Sequence, residues 1–213
     1  MVNWFRRFFA GSHAADADGA RWVVVDCESS GLDPRTDRLL SIGAVTVEGG
    51  RVAVGAGFSV VLRQDASSEP ANIVIHGISR GEQLGGVECA EGLLRFASYA
   101  AEAPLVAFHA PFDQALLKRA FRGAGLKLAN RWLDLAALAP ALYPAEARRC
   151  KALDDWLTLF GIENPVRHDA LSDAYATGLL FQVLLDRARG QGARTCAEVM
   201  GAADGGHWLG TAR

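Results

Sequence analysis

Residues Arg21–Asp26 read RWVVVD, and Cys27-Glu28 follow directly. A short, unbroken run of β-branched residues marks a strand buried on both faces. Beyond it, Ser29–Asp37 (SSGLDPRTD) is rich in turn formers. Two further strand-like segments come next, Leu39–Glu48 and Arg51–Leu62, separated by the hairpin signal Gly49-Gly50. The first three strands therefore read as a meander. From about Cys89 the apolar period becomes helical, with Leu93, Leu94, Ala97 and Ala100 in one stripe that ends near Pro104. Leu105–Phe108 (LVAF) reads as another buried strand. Pro111 opens a helix carrying Leu116, Leu117, Ala120 and Phe121, since a proline at the start of a helix removes only an N–H that has no partner there. Trp132–Leu142, Leu153–Phe160 and Ala170–Ala188 read as further helices. Strands first, then alternation, then helices describe a mixed α/β sheet covered by helices.

The chain has 213 residues, 50% apolar and 22% charged, enough to bury a sizeable core in one domain. This is not the composition of a disordered, collagenous or repeat protein. Residues 1–19 read as an N-terminal segment and linker, 20–188 as the folded domain, and 189–213 as a glycine-containing, poorly packed tail. Met1–Ala10 (MVNWFRRFFA) fits either a short amphipathic helix or a partly ordered terminus. It does not read as a signal peptide, because Arg6 and Arg7 interrupt the apolar stretch. No apolar run reaches the ~20 residues of a membrane span. Cys27, Cys89, Cys150 and Cys196 are scattered, which argues against a disulfide framework and for a reducing, cytoplasmic setting.

Three clusters carry the chemistry. Asp26 and Glu28 lie two apart at a strand's end, so both carboxylates share a face and repel each other. A cation relieves that repulsion, and hard oxygen donors suit Mg²⁺ or Mn²⁺. Taken alone, the pair is equally at home as solvated turn residues. Asp113 falls in the first turn of the helix after LVAF, where a carboxylate also serves the helix dipole. In His168-Asp169-Ala170-Leu171-Ser172-Asp173 the N-cap is Asp169. Asp173 lies a turn inside the helix, on a partly apolar face with Thr177 and Leu180 that is costly for an unpartnered carboxylate. His168 precedes the helix on a loop, and an imidazole titrating near ~6.5 in water is suited to proton transfer.

Together, DCESSG at 26–31, FHAPFD at 108–113 and HDALSDA at 168–174 resemble the three exonuclease motifs of the DEDD superfamily. The branch is the one with histidine in its third motif, the DnaQ-like 3′–5′ exonucleases. The likeness extends to RLLSIGAV, IHGIS at 75–79 and ALDDWLTLFGI, and covers about residues 20–187. It implies a ribonuclease H-like fold, a mixed five-stranded sheet with helices on both faces. It also implies that Asp26, Glu28, Asp113 and Asp173 hold two divalent ions, Mg²⁺ or Mn²⁺, with His168 as general base. Asp26 would bridge the ions, with Glu28 and Asp173 on the nucleophile side and Asp113 near the other ion. Ser29, Ser30, His76 and Phe112 match positions that line the terminal nucleotide. Two departures stand out: Ala110 occupies a position where the family commonly has asparagine, and Ser29-Ser30 replaces a threonine pair.

The implied activity is hydrolysis of nucleic acid, single-stranded DNA or RNA, from a free 3′ end to 5′-nucleoside monophosphates. A polymerase-associated proofreading subunit, with a DNA polymerase or other replication or repair protein as partner, and an RNA-processing exoribonuclease are the alternatives. An inactive interaction module is the competitor from another class, though all five reactive positions are filled. Arg148, Arg149 and Lys151 could meet phosphates, but a solvated loop is the commoner fate of such a run. The formal charge of −2 is no obstacle. Setting four site acids aside leaves 20 acidic against 22 basic residues. So small a basic excess predicts few phosphate contacts and a grip on a 3′ end rather than on a long duplex.

Overall fold

In the computed structural model, residues 19–53 and 55–204 are described. The expectation for Met1–Ala10, and nearly all of the linker, fall outside them. β1 (Trp22–Ser29) runs antiparallel to β2 (Leu39–Glu48), with Asp26 opposite Gly43 and Glu28 opposite Ser41. The β1–β2 register shifts between Glu28 and Ser29, just past the second carboxylate.

The segment 51–62 is not one strand. It divides into β3 (Arg51–Val52) and β4 (Phe58–Val61), which pair with different stretches of β2. Gly55 and Gly57 lie in the intervening loop, where a continuous ladder would not be expected. Two helices that the periodicity did not announce follow, α1 (Pro70–His76) and α2 (Arg80–Gly85), the second closed by a Ser79/Glu82 capping box. They escaped notice because they are short and their apolar residues, Val74 and Ile75 on α1 and Leu84 on α2, are exposed.

α3 (Cys89–Ala100), β5 (Leu105–Ala107) and α4 (Ala110–Gly123) follow the expected order. The helix expected over Trp132–Leu142 begins instead as β6 (Trp132–Asp134) before turning into α5 (Leu135–Leu142), with Asp134 as the N-cap. The strand order β3-β2-β1-β5-β6, with β4 also on β2, gives the expected mixed sheet, its sixth strand arising from the split of the 51–62 segment. β1, β5 and β6 run parallel and β2 antiparallel, so the sheet is mixed as expected.

α6 (Leu153–Leu159) and α7 (Ala170–Gly190) complete one face, on which Trp22 and Val24 meet Phe181, Leu184 and Trp156. Val23, Val25 and Cys27 point the other way, into α3 and α4. The tail is not poorly packed throughout. α8 (Cys196–Ala203) is capped by a Thr195/Glu198 box, and Ala193, Cys196, Val199 and Met200 are buried in the α5–α7 core.

One close approach fixes the site. A Cβ on Gly43 would lie 2.1 Å from the carbonyl carbon of Ala170 and 2.2 Å from its oxygen. The N-terminus of α7 therefore rests directly on the β2 backbone beside Asp26, which only glycine permits. Gly43→Ala is expected to push α7 off the sheet, costing about 3 kcal/mol or more. Urea unfolding would measure the loss, and an unchanged midpoint would refute the packing argument.

Candidate active site

Asp26 and Glu28 are delivered by β1, Asp113 by the first turn of α4 and Asp173 by the first turn of α7. Asp113 and Asp173 are buried, 5% and 6% exposed, deep enough that neither is an ordinary surface acid. Asp26, Glu28, Asp113 and Asp173 lie near enough to act on one another electrostatically. Burial foremost, then Asp113, Asp173 and Glu28, push the Asp26 carboxyl well above its usual range. Burial, then Asp173, Asp169 and Asp113, raise Glu28 to about 8. Burial raises Asp113 to about 7, against hydrogen bonding that includes the Cys27 thiol. One ligand atom from each of Glu28, His168 and Asp173 lies within 4.8 Å of the others. The crowded carboxylate oxygens of this group fit a hard divalent cation.

The shifts fix a sign. A carboxyl group held neutral in the folded state binds a proton that the unfolded chain releases. Its stabilisation is complete below the ordinary carboxyl range and is lost as pH rises towards 7–8. With EDTA present, melting is expected to fall by about 5 °C between about pH 5.5 and about pH 8.5. Mn²⁺ should restore it at the higher pH, where the acids are free to bind. Differential scanning calorimetry checks both halves, and Glu28→Gln should flatten the slope.

His168 is exposed, on the loop before α7, with φ of 62°. Its N–H donates to Asp173 Oδ2 at 2.9 Å, so the loop and the carboxylate are joined. Asp169 caps α7, accepting the Ser172 N–H at 2.8 Å. The asparagine missing at Ala110 leaves no gap at the start of α4, because the Ala110 N–H donates to Asp134 Oδ1 at 3.2 Å.

The four residues matched to nucleotide contacts fare differently. Ser30 Oγ accepts the Arg38 N–H at 2.9 Å and donates to Asp37 at 3.2 Å, so it closes the loop after β1. Ser29 Oγ donates to the Gly31 carbonyl. Asn72 of α1 donates to the Ser30 carbonyl at 2.7 Å and ties that helix to the same loop. His76 is 3% exposed, its Nδ1 accepting the Ile78 N–H at 3.1 Å. That bond places the proton on Nε2, which is buried without a partner, and burial lowers the imidazole's pKa. Phe112 is half-buried against the α3–α4 core beside Asp113.

Two residues at the site were not singled out from the sequence. Asn164 Nδ2 donates to Asp173 Oδ1, and Arg167 Nε lies 3.5 Å from the same oxygen. The one available signal was a lone arginine set beside a histidine and two acids.

A mixed sheet of this order, with acids from three segments gathered beside its central strand, has the ribonuclease H-like fold. The RNase T exonuclease family model matches residues 23–181, and the chain belongs to that family of DnaQ-like exonucleases. A DNA polymerase III subunit epsilon-like protein of Rhodobacter capsulatus is 32% identical over 86% of this chain and 26% of its own length. A PolC-type DNA polymerase III of Thermotoga maritima is 29% identical over 76% of this chain and 12% of its own. The chain thus spans about a quarter and about an eighth of these relatives' lengths. Among solved structures, E. coli Exonuclease I in complex with a dT13 oligonucleotide superposes with a TM-score of 0.69 at 20% identity. That match covers 80% of this chain and 42% of the other. Among the described residues, no helix is long and apolar enough to cross a membrane, and none of the four cysteines is in a disulfide.

Proposed function

We propose that this chain is a 3′–5′ exonuclease that hydrolyses single-stranded DNA or RNA from a free 3′ end and releases 5′-nucleoside monophosphates. The observation that carries the reading is the convergence of four carboxylates from three segments, three of them held well above their ordinary pKa. In this reading Asp26, Glu28, Asp113 and Asp173 hold two Mg²⁺ or Mn²⁺ ions. Bound there, such ions neutralise the phosphate, acidify a water and stabilise the departing 3′-oxygen. His168, exposed and next to the cluster, takes the proton from the attacking water. His76, only 3% exposed, keeps its Nε2–H inside the protein and reaches the terminal nucleotide only if α1 shifts. Phe112 offers a ring face to its base. Ser29 and Ser30 hold the loop that shapes the floor beneath it.

The test is degradation of 3′- and 5′-end-labelled DNA and RNA, single- and double-stranded, with Mg²⁺ and then with EDTA. A mononucleotide ladder receding from the 3′ end, lost in EDTA, is the expected result. Internal cleavage, or activity that survives EDTA, would defeat the reading. The polymerase III names of its relatives favour a second element, association with a DNA polymerase. Co-elution of the chain with a purified replicative polymerase subunit tests that element separately.

A further inference from the structure

Asp173 is fully engaged by the loop before it. Its Oδ2 accepts the His168 N–H at 2.9 Å, and its Oδ1 accepts from Asn164 Nδ2. Asn164 Oδ1 in turn accepts the Ser172 hydroxyl at 2.9 Å. The third group at Asp173 is a full positive charge, Arg167 Nε at 3.5 Å from Oδ1. The other arm of the same guanidinium, Nη1, pairs with Asp154 in the first turn of α6. Asp154 is half-exposed, Arg167 partly so, and Asp173 scarcely at all. Arg167 therefore straddles a buried site carboxylate and a surface one, and its charge also reaches Asp26, pulling against burial and the neighbouring acids.

A guanidinium and a divalent ion compete for the same carboxylate oxygen, because two cations at contact distance repel strongly at a half-buried site. Asp154 supplies a second resting place that needs only a side-chain rotation. We propose that Arg167 is a resident counter-cation of the carboxylate site, held on Asp173 when no divalent ion is bound and drawn fully to Asp154 when one enters. The proposal rests on the metal-dependent reading above. Its consequence is coupling: Arg167 adjoins His168 in the chain, so loading of the site resets the loop that presents the imidazole. Arg167 is thus a positioning residue, acting through Asp173 and the 164–168 loop rather than on substrate.

The two ends of the bridge make opposite predictions. Removing the charge (Arg167→Gln) frees Asp173 for metal, whereas removing its alternative partner (Asp154→Asn) leaves the arginine wholly on Asp173. Calorimetric titration of the full chain with Mn²⁺ at low salt, without substrate, reads both. Arg167→Gln should bind Mn²⁺ about three- to tenfold more tightly and Asp154→Asn more weakly by a similar factor. The double variant should match Arg167→Gln, since Asp154 acts only through the arginine. Arg167→Lys, which keeps the charge, should remain near wild type. Thermal melting confirms that each variant is folded. An ordinary structural ion pair would lower stability in both single variants and leave affinity unmoved, which would overturn the proposal alone. A wild-type chain that takes up no Mn²⁺ would overturn the metal-site reading and this proposal with it.

Discussion

Asp26→Asn is expected to lower hydrolysis by at least about a thousandfold while raising the melting temperature of the metal-free protein. The two effects share one cause. Asp26 is a partly buried carboxylate whose charged form is opposed by desolvation and by Asp113, Asp173 and Glu28. An amide of the same shape removes that repulsion and stabilises the fold. It also removes the negative charge opposite Gly43 that would help hold a metal, at the point where α7 closes onto β2. Stabilisation by Mn²⁺ should shrink in the same variant. Activity assays paired with melts in EDTA and in Mn²⁺ separate this outcome from simple unfolding, which would lower both readings. A variant that keeps its activity would remove Asp26 from the mechanism.

His168→Ala is expected to lower the turnover rate by about 10²- to 10⁴-fold, the range for a lost general base, with Mn²⁺ affinity little changed. The opposing possibility is concrete, because a ligand atom of His168 lies within 4.8 Å of Glu28 and Asp173 and could itself meet a metal. Position argues for proton transfer. The side chain is exposed and stands on a loop residue with φ of 62°, whereas the four acids are anchored in a strand and two helices. An all-oxygen set also suits a hard ion better than a mixed one. The pH–rate profile at saturating Mn²⁺ decides between the two: the limb due to the imidazole should disappear in the variant, leaving that of the site acids, while calorimetric Mn²⁺ binding persists. A parallel loss of metal binding would make His168 a ligand instead.

Much of this was legible in the chain because it depends on local pattern. The VVV run at 23–25, the ten-residue β2 and the long α7 each declare themselves over enough residues for one period to win. Each acid taken singly fits an ordinary turn, dipole or cap role, and it is the ordered set of three motifs that singles out the four. The misreadings share the opposite cause. Trp132-Leu133-Asp134 is too short for a period of two to be told from the apolar helix that follows it. α8 is flanked by glycines, although its Thr195–Glu198 capping box was visible in the sequence. Arg167 was hidden for a different reason: no local rule says that an arginine six residues before Asp173 turns back onto it.

The seating of α7 on Gly43 also bears on when the enzyme comes into being. The first strand carries half of the carboxylates, but the last of them arrives with a helix from the far end of the domain. Contacts so distant in sequence form late and slowly. A nascent chain that has not yet released residues 170–190 from the ribosome has a sheet in progress and no finished cleft. A chain released short of Ala170 lacks His168's neighbour Asp173 altogether. In the proposed reading, then, the carboxylate cleft is complete only once residues 170–190 have folded back onto β2.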